Sequence, residues 1–268
     1  MNNTVNDSPS IMGVLNITPD SFYSKSRSLD IVSLKKEIHS MNQSDIIDIG
    51  AESSRPDAKP LTVSEELDRL DIIFDNMNLL LGKQLSIDTY KPEVAKKALE
   101  NQFSIINDIF GGQNKDNLIL ASDFNAKIIL MHIKGSPSTM QQNTHYDDLI
   151  DNIVSYFEYR VSRALEFGVD ESNIILDPGI GFGKSLLDNY KIINNIERFK
   201  SLGFKVMIGL SRKSFLSLNN DKPEDRLSAT ICANTVALLK GADILRVHDV
   251  KEHLVIREII NNFLSNID

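Results

Sequence analysis

The chain has 268 residues, a length at which α/β barrels commonly fold around one core. With 41% apolar residues, a quarter charged and no Trp, it is an ordinary globular composition, not a disordered one. Lys plus Arg number 29 against 37 Asp plus Glu, and a net charge of −8 opposes binding to nucleic acid or anionic membranes, so a small anionic substrate would rely on a few local cations.

The first ten residues, MNNTVNDSPS, are polar and lack the basic-then-apolar order of a signal peptide. They read as a loose tail on a cytoplasmic protein. From there short runs rich in Ile, Val and Leu alternate with longer segments of helical periodicity, the pattern of parallel β/α units. Strands are expected at 11–16, 45–50, 85–89, 104–108, 127–132, 173–177, 205–210 and 243–248. Among the helices, KPEVAKKALE places Pro92 at a first helical position, and Val94, Ala95, Ala98 and Leu99 share one face. The segment from Tyr146 to Gly168 is the longest expected helix, with Gly168 as its cap. The lone cysteine, Cys232, lies in the apolar run ICANTVALL, where a buried, inert thiol is expected. Eight strand–helix pairs in one chain of this length favour a single-domain TIM (β/α)8 barrel over an open doubly wound sheet.

In such a barrel the chemistry lies at the C-terminal strand ends. Here those ends are polar: Asn16, then Asp48 with Glu52 and Arg55, Asp88, Asn107 with Asp108, His132, Asp177, Lys213 beyond Ser211, and Arg246 with His248. Taken singly, several have plainer explanations. Asp48 reads as a structural carboxylate, Asp177 before Pro178 could form a turn, and His132 is as readily a satisfied core residue as a ligand contact. His39, His145 and His253 read as surface residues. DPGIGFGK at 177–184 and the FGG at 110–112 do not match a phosphate-binding Walker loop and read as tight turns. No spacing of a dedicated metal site appears.

Eight segments in order resemble one known family. They are MGVLNITPDSF (12–22), IDIGAESSRPDA (47–58), SIDTYKPEVA (86–95), INDIFGG (106–112), MHIKGSPSTMQ (131–141), DPGIGFGK (177–184), GLSRKSF (209–215) and RVHDV (246–250). The chain is similar in all of them to the dihydropteroate synthases, transferases of folate biosynthesis that join a dihydropterin pyrophosphate to p-aminobenzoate. The resemblance implies one pterin-binding barrel domain over residues 1–268. It implies a deep pterin pocket with Asp88, Asn107, Asp177 and Lys213 on the heterocycle and Met131 along its face, and catalytic roles for Asp88, Asp177 and Lys213. It also implies diphosphate held by Asn16, Arg246 and His248, with Mg2+ near Asn16. Around p-aminobenzoate it implies Ser54, Arg55, Pro56, Phe182, Ser211 and Lys213, with sulfonamides as competitors. A homodimer through barrel helices belongs to the same set of expectations.

Two loops depart from the family pattern. Tyr23, Ser24, Lys25 and Ser26 stand where SDGG is usual, removing an acidic residue and a glycine pair. The second loop has Ser54 and Asp57 where threonine and glycine are usual. The rival expectations are a pterin-dependent methyltransferase, which shares the barrel but needs no diphosphate site, and a degenerate pterin-binding paralogue.

Overall fold

The computed structural model describes residues 8–17, 27–54, 59–218 and 222–265. Eight parallel strands close in sequence order into a barrel. They are β1 (Ser10–Asn16), β2 (Ile46–Gly50), β3 (Gln84–Asp88), β4 (Ile105–Asp108), β5 (Lys127–Met131), β6 (Ile174–Asp177), β7 (Lys205–Ile208) and β8 (Ile244–Val247). Closure is made by β1 against β8, from Ser10 opposite Ile244 to Gly13 opposite Val247. The helices are α1 (Arg27–Ser40), α2 (Val63–Phe74), α3 (Pro92–Glu100), α4 (Lys115–Asp123), α5 (Leu149–Glu166), α6 (Leu186–Asn194), α7 (Ile196–Lys200), α8 (Leu227–Leu239) and α9 (Val250–Ser265).

The expected strands are all present, and their ends move by one or two residues. Two shifts matter. Strand β1 begins at Ser10, inside the stretch expected to be a tail. Strand β7 stops at Ile208, leaving Gly209 and Leu210 to start the turn toward Lys213. Helix α5 is the longest, and its N-cap Asp148 accepts from the amides of Ile150 and Asp151, so the helix starts three residues after Tyr146. Gly168 follows its end at φ +84°, a conformation cheap for glycine. Capping boxes at Thr62 with Glu65 and Ser185 with Asp188 set the starts of α2 and α6.

Strand alternation sorts the side chains into two cores. Outward residues such as Ile47, Ile49, Ile87, Ile106, Leu130 and Leu176 pack beneath the helices. Inward, Met12, Ile46, Ile105, Ile129, Ile175, Met207 and Ile244 form a separate buried cluster that fills the barrel axis.

Two expectations fail on the last helices. Cys232 is exposed, not buried. Helix α8 is apolar nearly all round, so periodicity cannot assign its inner face, and the residues that turn inward include polar Thr230 and Asn234. His253 is fully buried rather than superficial. Its Nε2 meets Asn234 Nδ2 at 2.8 Å and its Nδ1 meets the Asp249 carbonyl at 2.6 Å, a pairing between α8 and α9 with no local signature. His39 and His145 are exposed as expected.

Candidate active site

One inward step above the apolar layer the barrel turns polar. Two residues beyond Ile46, Ile105, Ile129, Ile175 and Ile244, on the same strand faces, stand Asp48, Asn107, Met131, Asp177 and Arg246, and Asp88 follows Ser86 in the same way. The inner layer is therefore apolar apart from Ser86, and the layer above it is mostly polar.

Arg246 is the centre of this layer. Its Nε donates to Asp48 Oδ2 and its Nη2 to Asp88 Oδ2, each at 2.6 Å. Asp48 also accepts from Asn107 Nδ2 at 3.0 Å, while its Oδ1 is buried without a hydrogen-bond partner among the described residues. Burial pushes the Asp88 carboxyl up to about 7 against the opposing pull of Arg246, with Asp48 adding to the rise. Burial works against the Arg246 charge, but the two carboxylates outweigh it and hold its pKa above the ordinary value. The guanidinium expected at diphosphate is thus held by carboxylates on one edge in this structure.

Asp177 ends β6 and is buried, which raises its pKa. Its Oδ1 accepts from the Gly179 amide at 2.8 Å, so the turn reading and the pocket reading of this residue hold together. The turn passes so close to β5 that a Cβ at Gly179, which sits at φ +66°, would lie 2.0 Å from the His132 carbonyl oxygen. Gly179→Ala is expected to lower stability by about 2–3 kcal/mol through backbone strain and overpacking. Thermal melting checks this; an unshifted midpoint would show that the turn can relax.

Lys213 reaches back across this turn, its Nζ donating to the Ile180 carbonyl and lying 4.6 Å from the centre of the Phe182 ring. Burial draws its pKa down to about 8 despite attraction from Asp177. Met131 packs with Ile109, Ile133 and Met140, with Tyr90, Phe110 and Phe182 against them, giving the pocket an apolar flank. Asn16 and His248 line a cavity of about 360 Å3 between the end of β1 and helix α1, together with Ser33, Lys36 and Glu37. Ser211 is placed with His248: its Oγ lies 3.1 Å from Nδ1 and 3.3 Å from the backbone nitrogen. The structure therefore puts Ser211 beside a residue expected at diphosphate, although p-aminobenzoate was its expected ligand. Ser54 is half-buried at the start of the second loop. Arg55 and Pro56, like Tyr23, Ser24, Lys25 and Ser26, lie outside the described residues.

Three supporting networks escaped the sequence reading. Arg160 donates from Nε to the Gly111 carbonyl at 2.6 Å and from Nη2 to that of Gly112, bracing the turn after Asn107. Its signal was present: Ile153, Phe157, Arg160 and Ala164 all fall on the buried face of α5, a spacing at which an arginine needs an explanation. Glu52 accepts from Tyr90 Oη and from the Leu61 amide, both at 2.9 Å, and pairs with Lys91, which also pairs with Glu66. Arg212 holds φ +58° and binds Asp249 through two hydrogen bonds of 2.8 and 2.6 Å, tying the Ser211–Lys213 turn to the end of β8.

The family described as pterin binding enzyme matches residues 12–248, which spans every strand end just described. The dihydropteroate synthase of Bacillus subtilis (strain 168) is 40% identical over 90% of this chain and 84% of its own length. The chain belongs to the dihydropteroate synthase family. Solved members agree in fold: the Yersinia pestis dihydropteroate synthase in complex with a sulfonamide drug superposes with a TM-score of 0.88 at 32% identity, covering 96% of this chain and 95% of that one. The Xanthomonas albilineans dihydropteroate synthase with 4-aminobenzoic acid does so at 0.88 and 31%, covering 98% and 95%. Of the enzyme classes weighed from sequence, dihydropteroate synthase is the one these relatives share.

Proposed function

We propose that the inward polar layer is the pterin pocket of a transferase that joins 6-hydroxymethyl-7,8-dihydropterin pyrophosphate to p-aminobenzoate, giving 7,8-dihydropteroate and diphosphate. The observation that carries the assignment of residues is the placement of Asp88, Asn107 and Asp177 on inward positions above a buried layer of seven apolar residues and Ser86, with Lys213 held across the turn that follows Asp177. A pterin edge presents adjacent donors and acceptors; Asp177 accepts from the donors with the carboxylate oxygen not used by Gly179, while Asn107 and Lys213 serve the remaining groups. Met131 and its apolar neighbours supply the flank for the ring.

The reaction is a displacement at the exocyclic methylene carbon: diphosphate leaves, the arylamine attacks, and no covalent enzyme intermediate is required. Positive charge develops on the pterin as diphosphate departs, and the carboxylates of Asp88 and Asp177 stabilise it in a site of low dielectric. Diphosphate is assigned to Asn16, His248 and the edge of Arg246 not taken by carboxylates. Among the described residues no group of three or more His, Cys, Asp or Glu side chains could hold a metal, whereas the Asn16 amide oxygen is a hard donor of the kind that suits a magnesium ion arriving on phosphate. Asn16 would hold such an ion, and the ion would supply charge neutralisation for the leaving diphosphate. Phe182 and Lys213, with Ser54, Arg55, Pro56 and Ser211, are assigned to p-aminobenzoate and to sulfonamides that compete with it.

A homodimer through α8 and α9 fits the exposed Val236, Leu239, Val255, Ile259 and Phe263 on these adjoining helices. No helix among the described residues is long and apolar enough to cross a membrane, and the reducing cytoplasm suits the free, exposed thiol of Cys232.

The deciding experiment is a coupled assay of diphosphate release. Release is expected only when the pterin pyrophosphate and p-aminobenzoate are both present. Release that ignores p-aminobenzoate, or methyl transfer to a corrinoid, would overturn the reading.

A further inference from the structure

Lys184 closes the glycine-rich turn that starts at Asp177, and none of the roles above uses it. It is 3% exposed. Its Nζ finds the Phe182 carbonyl at 2.9 Å, Nδ1 of His132 at 2.9 Å and the His132 carbonyl at 3.2 Å. An ammonium has three hydrogens and no lone pair, so three acceptors satisfy it completely. Burial draws the Lys184 pKa down to about 7 against attraction from Asp177; in its charged form it donates to Nδ1 of His132, whose ring proton then lies on Nε2. Burial, with Lys184 adding to it, depresses the His132 pKa to about 2, consistent with a neutral acceptor ring.

The turn is wrapped around this side chain. Gly179, Gly181 and Gly183 all adopt positive φ, and a Cβ at Gly179 would lie 3.3 Å from Lys184 Nζ. Phe182 sits between the last two of these glycines. Its amide donates to the Gly179 carbonyl at 3.0 Å, its carbonyl is taken by Lys184, and its ring lies against the Lys213 ammonium. The backbone of Phe182 is thus held from both sides, and one of the two holds is the Lys184 side chain.

We propose that Lys184 is a positioning residue, whose ammonium ties the Phe182 carbonyl to the His132 edge of β5 and so fixes the Phe182 ring against Lys213 on the p-aminobenzoate side of the pocket. The inference rests on the reading of Phe182 given above. Lys184 touches neither substrate in this scheme; it acts through Phe182. A residue that served only to stabilise the turn would lower the melting temperature and leave substrate constants alone. A residue that aims Phe182 changes the constant for one substrate.

Steady-state kinetics of Lys184→Met, Phe182→Ala and the double variant separate these cases. Lys184→Met is expected to raise KM for p-aminobenzoate about tenfold while kcat moves by less than about threefold, because ground-state placement of one substrate is what is lost. In the Phe182→Ala background the same change is expected to add nothing, the non-additivity of two residues acting as one. If Phe182→Ala raises KM but Lys184→Met does not, or the two effects add, this inference falls and the assignment of Phe182 stands. If Phe182→Ala leaves KM unchanged, both fall. Should Lys184→Met fail to fold, His132→Phe removes the Nδ1 acceptor while keeping the His132 carbonyl, and is expected to raise the same KM to a smaller extent; an unchanged KM there overturns the proposal equally.

Discussion

Asp177→Asn is expected to weaken pterin binding by at least about a hundredfold while the protein stays folded, since hydrogen bonds to a buried charged group are worth roughly 1.5–3 kcal/mol each. The two oxygens of this carboxylate have different duties. Oδ1 accepts from Gly179 and shapes the turn, a task an amide oxygen performs as well. In the proposed pocket the other oxygen accepts from the N–H donors of the pterin, where the amide NH2 of asparagine would present a donor to a donor. Stability should therefore change little and affinity greatly. Calorimetric titration with a pterin analogue, beside a thermal melt, measures both; a folded variant with unchanged affinity would remove Asp177 from the pocket.

The second large effect is expected from Arg246→Met. Removing this cation leaves Asp48, which is fully buried, and Asp88 facing one another without their shared partner. Breaking one member of a buried ionic network costs about 3–5 kcal/mol. Catalysis should fall at least about a thousandfold, because Asp88 also loses the charge that favours its ionised form. The pH dependence has a definite sign. Folding raises the Asp88 pKa from the usual carboxylate range to about 7, so the folded state retains a proton that the unfolded chain has released, and this group's contribution falls as pH rises from about 4 toward 7. Without Arg246 the folded pKa rises further and the penalty extends to higher pH. The deficit of the variant should thus be larger at pH 8 than at pH 6. Melting curves at the two pH values decide the matter, and an equal deficit at both would mean that Asp88 is not the titrating partner.

The barrel was legible because its signal is local. Each strand announces itself by four to seven residues, and the inward face can be followed from Ile46 to Asp48 or from Ile175 to Asp177 by counting in twos. The polar strand ends were equally readable, and so were most of the residues on the inward layer above the apolar cluster. What those residues hold in the absence of substrate was not. Arg246 and Asp48 are 198 positions apart, and nothing near either one reports that a guanidinium with phosphate geometry is also the clasp between two carboxylates. Ser211 illustrates the same limit: its place in GLSRKSF says that it lies at a strand end, whereas its contact with His248 depends on the register of the neighbouring turns. Helix α8 failed for another reason. A helix with apolar residues on every face has no preferred side until its neighbours choose one, and here Asn234 and Thr230 were chosen by His253 and by the amide of Arg212.

A barrel whose axis is plugged by seven apolar side chains is a blind well with a single mouth. The heterocycle that seats against the plug must descend first, because anything placed nearer the rim stands in its path. Departure runs in reverse, and diphosphate, released at the rim, is free to leave before the joined product is drawn up whole. With the pterin placed as proposed, the order of arrival is set by seven residues that touch no reacting atom.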